Sequence, residues 1–72
     1  MLFTIVIPTK NSEATIKYAL GSILTQKVPK ELKFELIIVD GYSKDRTLDI
    51  IANYVQRLRK IFRENFVRYV VL

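Results

Sequence analysis

The 72-residue sequence predicts an α/β fold, a three-stranded parallel sheet of order 3-2-1 with two helices on one face. Three observations carry that prediction. Apolar, β-branched runs recur at residues 2–7, 34–39 and 66–72, and helical periodicity fills both intervals between them. The runs do not alternate apolar with polar residues, which marks strands of a parallel sheet rather than half-solvated antiparallel ones. Strands joined through helices pair in parallel through right-handed crossovers, and two crossovers running in one direction leave both helices on the same face.

The first strand, LFTIVI, is closed by Pro8, and residues 8–11 read as a polar break. Ala14, Ile16, Ala19, Ile23 and Leu24 recur at helical spacing, so residues 12–26 form the first helix. Asn11 or Ser12 caps it by accepting a bond from an orphan N–H, and Glu13 suits its positive end. Gly21 weakens this helix a little, and Lys27, Val28 and Pro29 end it.

The second strand runs into Asp40, and a turn follows at residues 41–45, with Ser43 the expected cap of the next helix. Leu48, Ile51, Val55, Leu58 and Phe62 mark one stripe of that long second helix. Arg57, Arg59, Lys60 and Arg63 fall mostly off the stripe, and Asn65 is the expected stop. The third strand, FVRYVVL, uses the remaining residues, so residues 1–72 parse as a single unit of strand, helix, strand, helix and strand.

Composition excludes several chemistries. Without cysteine or histidine there is no disulfide, thiolate, ordinary zinc site or imidazole acid–base pair. Any metal would have to rest on carboxylates, backbone oxygens or a bound phosphate. Twelve Lys and Arg against seven Asp and Glu give a net charge of +5, which suits an anionic partner. No apolar run reaches the ~20 residues of a membrane span, and the first residues lack a signal peptide's basic region. The chain is therefore expected in the cytoplasm or at the cytoplasmic face of a membrane.

Ligands of an open parallel sheet bind at the carboxyl ends of its strands. Here those ends are residues 8–11 and 40–43, and both lead into helix N-termini that attract phosphate. An acid at position 40 suits the N–H edge of a base or a ribose hydroxyl, and equally suits bracing the turn. With Gly21 and Gly41 its only glycines, the chain carries no glycine-rich phosphate loop.

Three segments in order, IVIPTKNSE at residues 5–13, SILTQ at 22–26 and IIVDGYSKDRTL at 37–48, resemble the start of family 2 inverting glycosyltransferases of the GT-A fold. That family typically opens with P-T-Y-N, S-I/L-L-x-Q and V-D-D-G-S-x-D-x-T. The resemblance implies the first half of a Rossmann-like nucleotide-binding domain, a partial domain that binds the nucleotide-diphosphate sugar. Pro8 and Thr9 would line the base and ribose pocket, Asp40 would contact the base, and Asn11 belongs to the same loop. Ser43, Asp45 and Thr47 would hold the second loop to its helix.

Two departures stand out. Lys10 replaces an aromatic residue and is free to approach a phosphate, and Gly41-Tyr42 replaces Asp-Gly, so Tyr42 offers the stacking surface instead. No D-x-D occurs, so Mg or Mn is expected only in a full-length enzyme, and this chain alone is expected to bind no metal and transfer no sugar. The competing reading is a complete small nucleotide- or nucleic-acid-binding module without catalysis. Its support is the basic cluster on the second helix, which is more simply a solvated face, so nucleic acid is not expected. The sheet face without helices, or the edge of the first strand, is expected to pair the chain with itself.

Overall fold

In the computed structural model, which describes residues 2–26, 32–63 and 65–72, the elements alternate as β1 (Leu2–Thr9), α1 (Ile16–Leu24), β2 (Lys33–Asp40), α2 (Thr47–Ile61) and β3 (Phe66–Val71). The sheet order is β1-β2-β3 with both pairings parallel, as expected. Register places Thr9 beside Asp40, and Asp40 beside Val71. Strand β1 runs two residues further than predicted, through Pro8 and Thr9. Pro8 is tolerated because β1 is an edge strand, where a missing N–H need cost no ladder bond.

The helices share one face. Ile16 and Leu20 from α1 and Ile51, Val55 and Leu58 from α2 pack with Phe34, Leu36, Ile38 and Val67 of the sheet. Phe62 closes the lower end, its ring edge-on to Phe34 with centroids 5.1 Å apart. The α2 stripe is as predicted. The α1 stripe is corrected: Leu20 is fully buried, whereas Ala14 and Ala19 are exposed.

Helix α1 begins at Ile16 rather than residue 12, and Thr15 at its start makes no side-chain cap. The Ser12 carbonyl instead accepts from the N–H groups of Thr15 and Ile16. The expected stop at Lys27, Val28 and Pro29 lies outside the described residues. Helix α2 ends at Ile61, short of Asn65. Asn65 has a different task, its Oδ1 accepting from the Phe34 N–H at 2.8 Å and so anchoring the start of β2. Two of the basic residues also brace the fold. Arg59 Nε donates to the Val67 carbonyl, and Arg57 lies 4.9 Å from the Tyr54 ring centre.

The opposite face carries no helix. Val6 is 55% exposed and Phe66 74%, with Val70 exposed and Ile37 and Val39 half-buried beside them. Runs that read as buried on both faces are therefore covered on one only. Among the described residues no helix is long and apolar enough to cross a membrane.

Candidate functional site

At the carboxyl ends of β1 and β2 the chain turns out of the sheet twice, and the two turns are bonded to each other. Asp40 is fully buried. Its Oδ1 accepts from the Thr9 hydroxyl at 2.7 Å and the Ser43 hydroxyl at 2.6 Å, and its Oδ2 accepts from the Ser43 N–H at 2.6 Å. Burial pushes this carboxyl up. The Ser43 bonds, the Thr9 bond and the Lys10 charge outweigh burial and hold it below its ordinary value.

The amides of both loops are committed to the same network. The N–H groups of Asn11, Ser12 and Glu13 donate to Ser43 Oγ at 2.8 Å, Thr47 Oγ1 at 2.7 Å and Asp45 Oδ2 at 3.3 Å. In return, the Lys44 N–H donates to Asn11 Oδ1 at 2.8 Å, and the Gly41 N–H to the Thr9 carbonyl at 2.9 Å. Asp45 Oδ1 accepts from both the N–H and the hydroxyl of Thr47. Bonds from the Thr47 hydroxyl and backbone and from the Glu13 N–H hold the Asp45 carboxyl below its ordinary value, against its partial burial.

These bonds correct two expectations. Ser43 does not cap α2, being spent on Asp40 and Asn11. Arg46 holds the cap position without a side-chain cap bond, and the first helical N–H, that of Thr47, goes to Asp45. Asn11 and Ser12 do not cap α1; they reach across to the second loop. The amides at residues 11–13 therefore form no open cradle for a phosphate, since side chains of the other loop already fill them.

The network turns a different set outward. Pro8 near the end of β1 and Lys10 and Asn11 on the first loop are exposed, and Tyr42 is 63% exposed on the second. Asn11 and Tyr42 hold positive φ angles, 44° and 60°. Asn adopts this region readily, whereas a tyrosine held there is strained and such strain collects at functional sites. Lys10 lies along the seam, its Nζ donating to the Gly41 carbonyl at 2.6 Å. The predicted site residues thus divide into a buried pair, Thr9 and Asp40, and an exposed group, Pro8, Lys10, Asn11 and Tyr42. Sequence reasoning missed the Gly41 carbonyl, although a glycine in place of an acid beside Lys10 was a visible signal.

A divalent cation does not fit these residues, because Asp40 is fully buried under three hydrogen-bond donors and the Asp45 carboxylate is engaged by Thr47 and the Glu13 N–H. Among the described residues no three His, Cys, Asp or Glu side chains cluster to hold a metal. A groove of about 460 Å³ opens between the helices, lined by Glu13, Lys17, Arg46, Asp49 and Tyr54 among others. None of the predicted site residues lines it.

Parallel strands joined through helices, with their carboxyl-end loops bonded into one outward edge, define an open α/β unit of the kind that takes ligands at its strand ends. Residues 4–70 match the family described as Glycosyl transferase family 2. The chain belongs to that family. It is 41% identical over 58 residues to the poly(ribitol-phosphate) beta-N-acetylglucosaminyltransferase TarS of Staphylococcus aureus, covering 81% of this chain and 10% of that protein. It is likewise 41% identical over 61 residues to a poly(ribitol-phosphate) beta-glucosyltransferase of Bacillus spizizenii, covering 85% of this chain and 10% of that one.

The crystal structure of S. aureus TarS 1-349 in complex with UDP superposes with a TM-score of 0.67 at 36% identity, covering 97% of this chain and 19% of that one. The chain thus spans between a tenth and a fifth of the length of these relatives.

Proposed function

We propose that these residues form the donor-nucleotide half of a glycosyltransferase site, with a nucleotide-diphosphate sugar lying across Pro8, Lys10, Asn11 and Tyr42. The observation that carries this reading is the bonded pair of strand-end loops, which leaves those four residues exposed over a buried Thr9–Asp40–Ser43 brace. Thr9 and Asp40 serve the ligand by fixing the loops rather than by touching it, since their polar atoms bond each other. UDP, the nucleotide bound by the TarS structure, is the first donor nucleotide to test.

In this reading the 72 residues act as one binding unit and transfer no sugar alone. Transfer needs a carboxylate that deprotonates an acceptor hydroxyl and a group that stabilises the departing diphosphate. Both carboxylates at this edge are filled, so Mg or Mn and the base belong to residues that a full-length family member adds. A nucleotide diphosphate does not cross an apolar bilayer, so the site is assigned to the cytoplasm or a cytoplasmic membrane face. A second copy of the chain is the proposed partner for the open sheet face, on which Val6, Phe66 and Val70 lie exposed.

Titrating UDP and GDP while following backbone amide shifts tests the site. Shifts at Lys10, Gly41 and Tyr42 are expected. Shifts confined to Arg57, Arg59, Lys60 and Arg63 would overturn it in favour of a basic nucleic-acid surface.

A further inference from the structure

Gly41 raises a question that backbone geometry does not answer. Its φ is not positive, so no left-handed turn requires glycine here. A Cβ at this position would meet the Thr9 carbonyl at an ordinary 3.6 Å, so the backbone leaves room for a side chain. The tight contact is with Lys10, whose Cδ would lie 3.3 Å from that Cβ. The space that Gly41 leaves bare is thus the space the Lys10 chain crosses to bring Nζ to the Gly41 carbonyl.

The surroundings say what an ammonium held there is for. The amides that a helix-end phosphate site would use, those of Asn11, Ser12 and Glu13, already donate to Ser43, Thr47 and Asp45. Ser43, Lys44 and Thr47 also spend their amides internally. The loops therefore offer a ligand anion little from these amides, and the positive charge at the seam is a side chain. Lys10 is exposed, and its ammonium is anchored on a neutral carbonyl rather than a carboxylate, which an anionic oxygen can outcompete. Asp40 lies close enough to feel the Lys10 charge, but its oxygens are filled by Thr9 and Ser43.

We propose that Lys10 and Gly41 act as a pair that determines diphosphate binding: the bare glycine gives the Lys10 ammonium its path across the second loop, and the ammonium takes a phosphate oxygen of the nucleoside diphosphate. This rests on the nucleotide-site reading above and assigns the charged half of the ligand within it. Tyr42, the exposed residue next to Gly41 along the chain, is left to the base.

Binding of UDP, uridine and inorganic pyrophosphate to the parent chain, Lys10→Met, Gly41→Val and the double variant tests the pair. Lys10→Met should weaken UDP and pyrophosphate about tenfold, the loss of one charge-assisted hydrogen bond, and flatten the salt dependence of UDP binding. Uridine should change less than about twofold, since it carries no phosphate. Gly41→Val should weaken UDP to a similar degree by displacing the Lys10 chain, and the double variant should lose no more than either single one.

Amide spectra of each variant check that the fold is retained, and Gly41→Ala, whose single Cβ asks Lys10 to give only a few tenths of an ångström, serves if Gly41→Val does not fold. Gly41→Ala should then show a smaller loss that also vanishes in the Lys10→Met background. UDP binding in the parent with no loss in Lys10→Met, or additive losses in the double variant, would overturn the pair while leaving the nucleotide site standing. No UDP binding in the parent would remove both.

Discussion

Thr9 and Asp40 are register partners at the ends of β1 and β2, and the Thr9 hydroxyl donates to the Asp40 carboxylate at 2.7 Å with both side chains buried. Each loop of the site starts at one member of this pair. The bond sets how the loops leave the sheet, and the Ser43 bonds to the same carboxylate then fix the second loop. A carboxylate used in this way is part of the scaffold and should show its importance in stability.

Replacing Asp40 with Asn should destabilise the chain by about 2 kcal/mol at neutral pH, because buried donors lose a charged acceptor. The pH dependence has a definite sign. The folded carboxyl lies below its ordinary 3.8, so its contribution is complete above that value and is lost as pH falls through the lower, folded one. Thermal melts from pH 7 downward should therefore show the gap between parent and variant start to narrow as pH falls below 3.8. A difference that stays constant with pH would mean that the charge on Asp40 is not what stabilises the loops.

Tyr42 is held at a φ of 60°, in a position where the family pattern usually has glycine. Tyr42→Gly should be as stable as the parent or more so, by up to about 1 kcal/mol, since glycine enters this region without strain. Removing the ring should nevertheless weaken UDP about tenfold, the worth of one base stacked on an aromatic side chain. Unchanged affinity in calorimetry would show that the strained ring does not face the base.

The open sheet face should bring copies of the chain together. Val6, Phe66 and Val70 lie exposed on it, and β1 and β3 are both edges. Sedimentation at micromolar concentration should give a species larger than the 8.4 kDa chain. Val6→Thr with Phe66→Ser should shift it toward the monomer. A parent that sediments as a clean monomer would refute the proposed pairing.

No sugar transfer is expected from the 72 residues alone with any nucleotide-sugar donor and acceptor. Both carboxylates at the edge are occupied by hydroxyl and amide donors, and no D-x-D is present. Turnover that Asp40→Ala abolishes while the fold survives would show that this carboxylate leaves its partners and does chemistry.

Strand and helix order, parallel pairing and the α2 stripe were legible in the sequence because each rests on local periodicity and on the handedness of crossovers. So was the edge at which the two strand-end loops meet, since strand ends and family motifs are both linear features. The tertiary structure decided what each residue at that edge does. Asn11 and Ser12 read as caps because their neighbours along the chain lack partners, yet their bonds run to Ser43, Lys44 and Thr47, more than thirty residues away. Asp40 read equally as ligand contact or brace, and the fold gave it bracing bonds to Thr9 and Ser43. Periodicity reports which face of an element is apolar. Which donor reaches which acceptor depends on the distance between two loops, and only the register of β1 against β2 sets that distance.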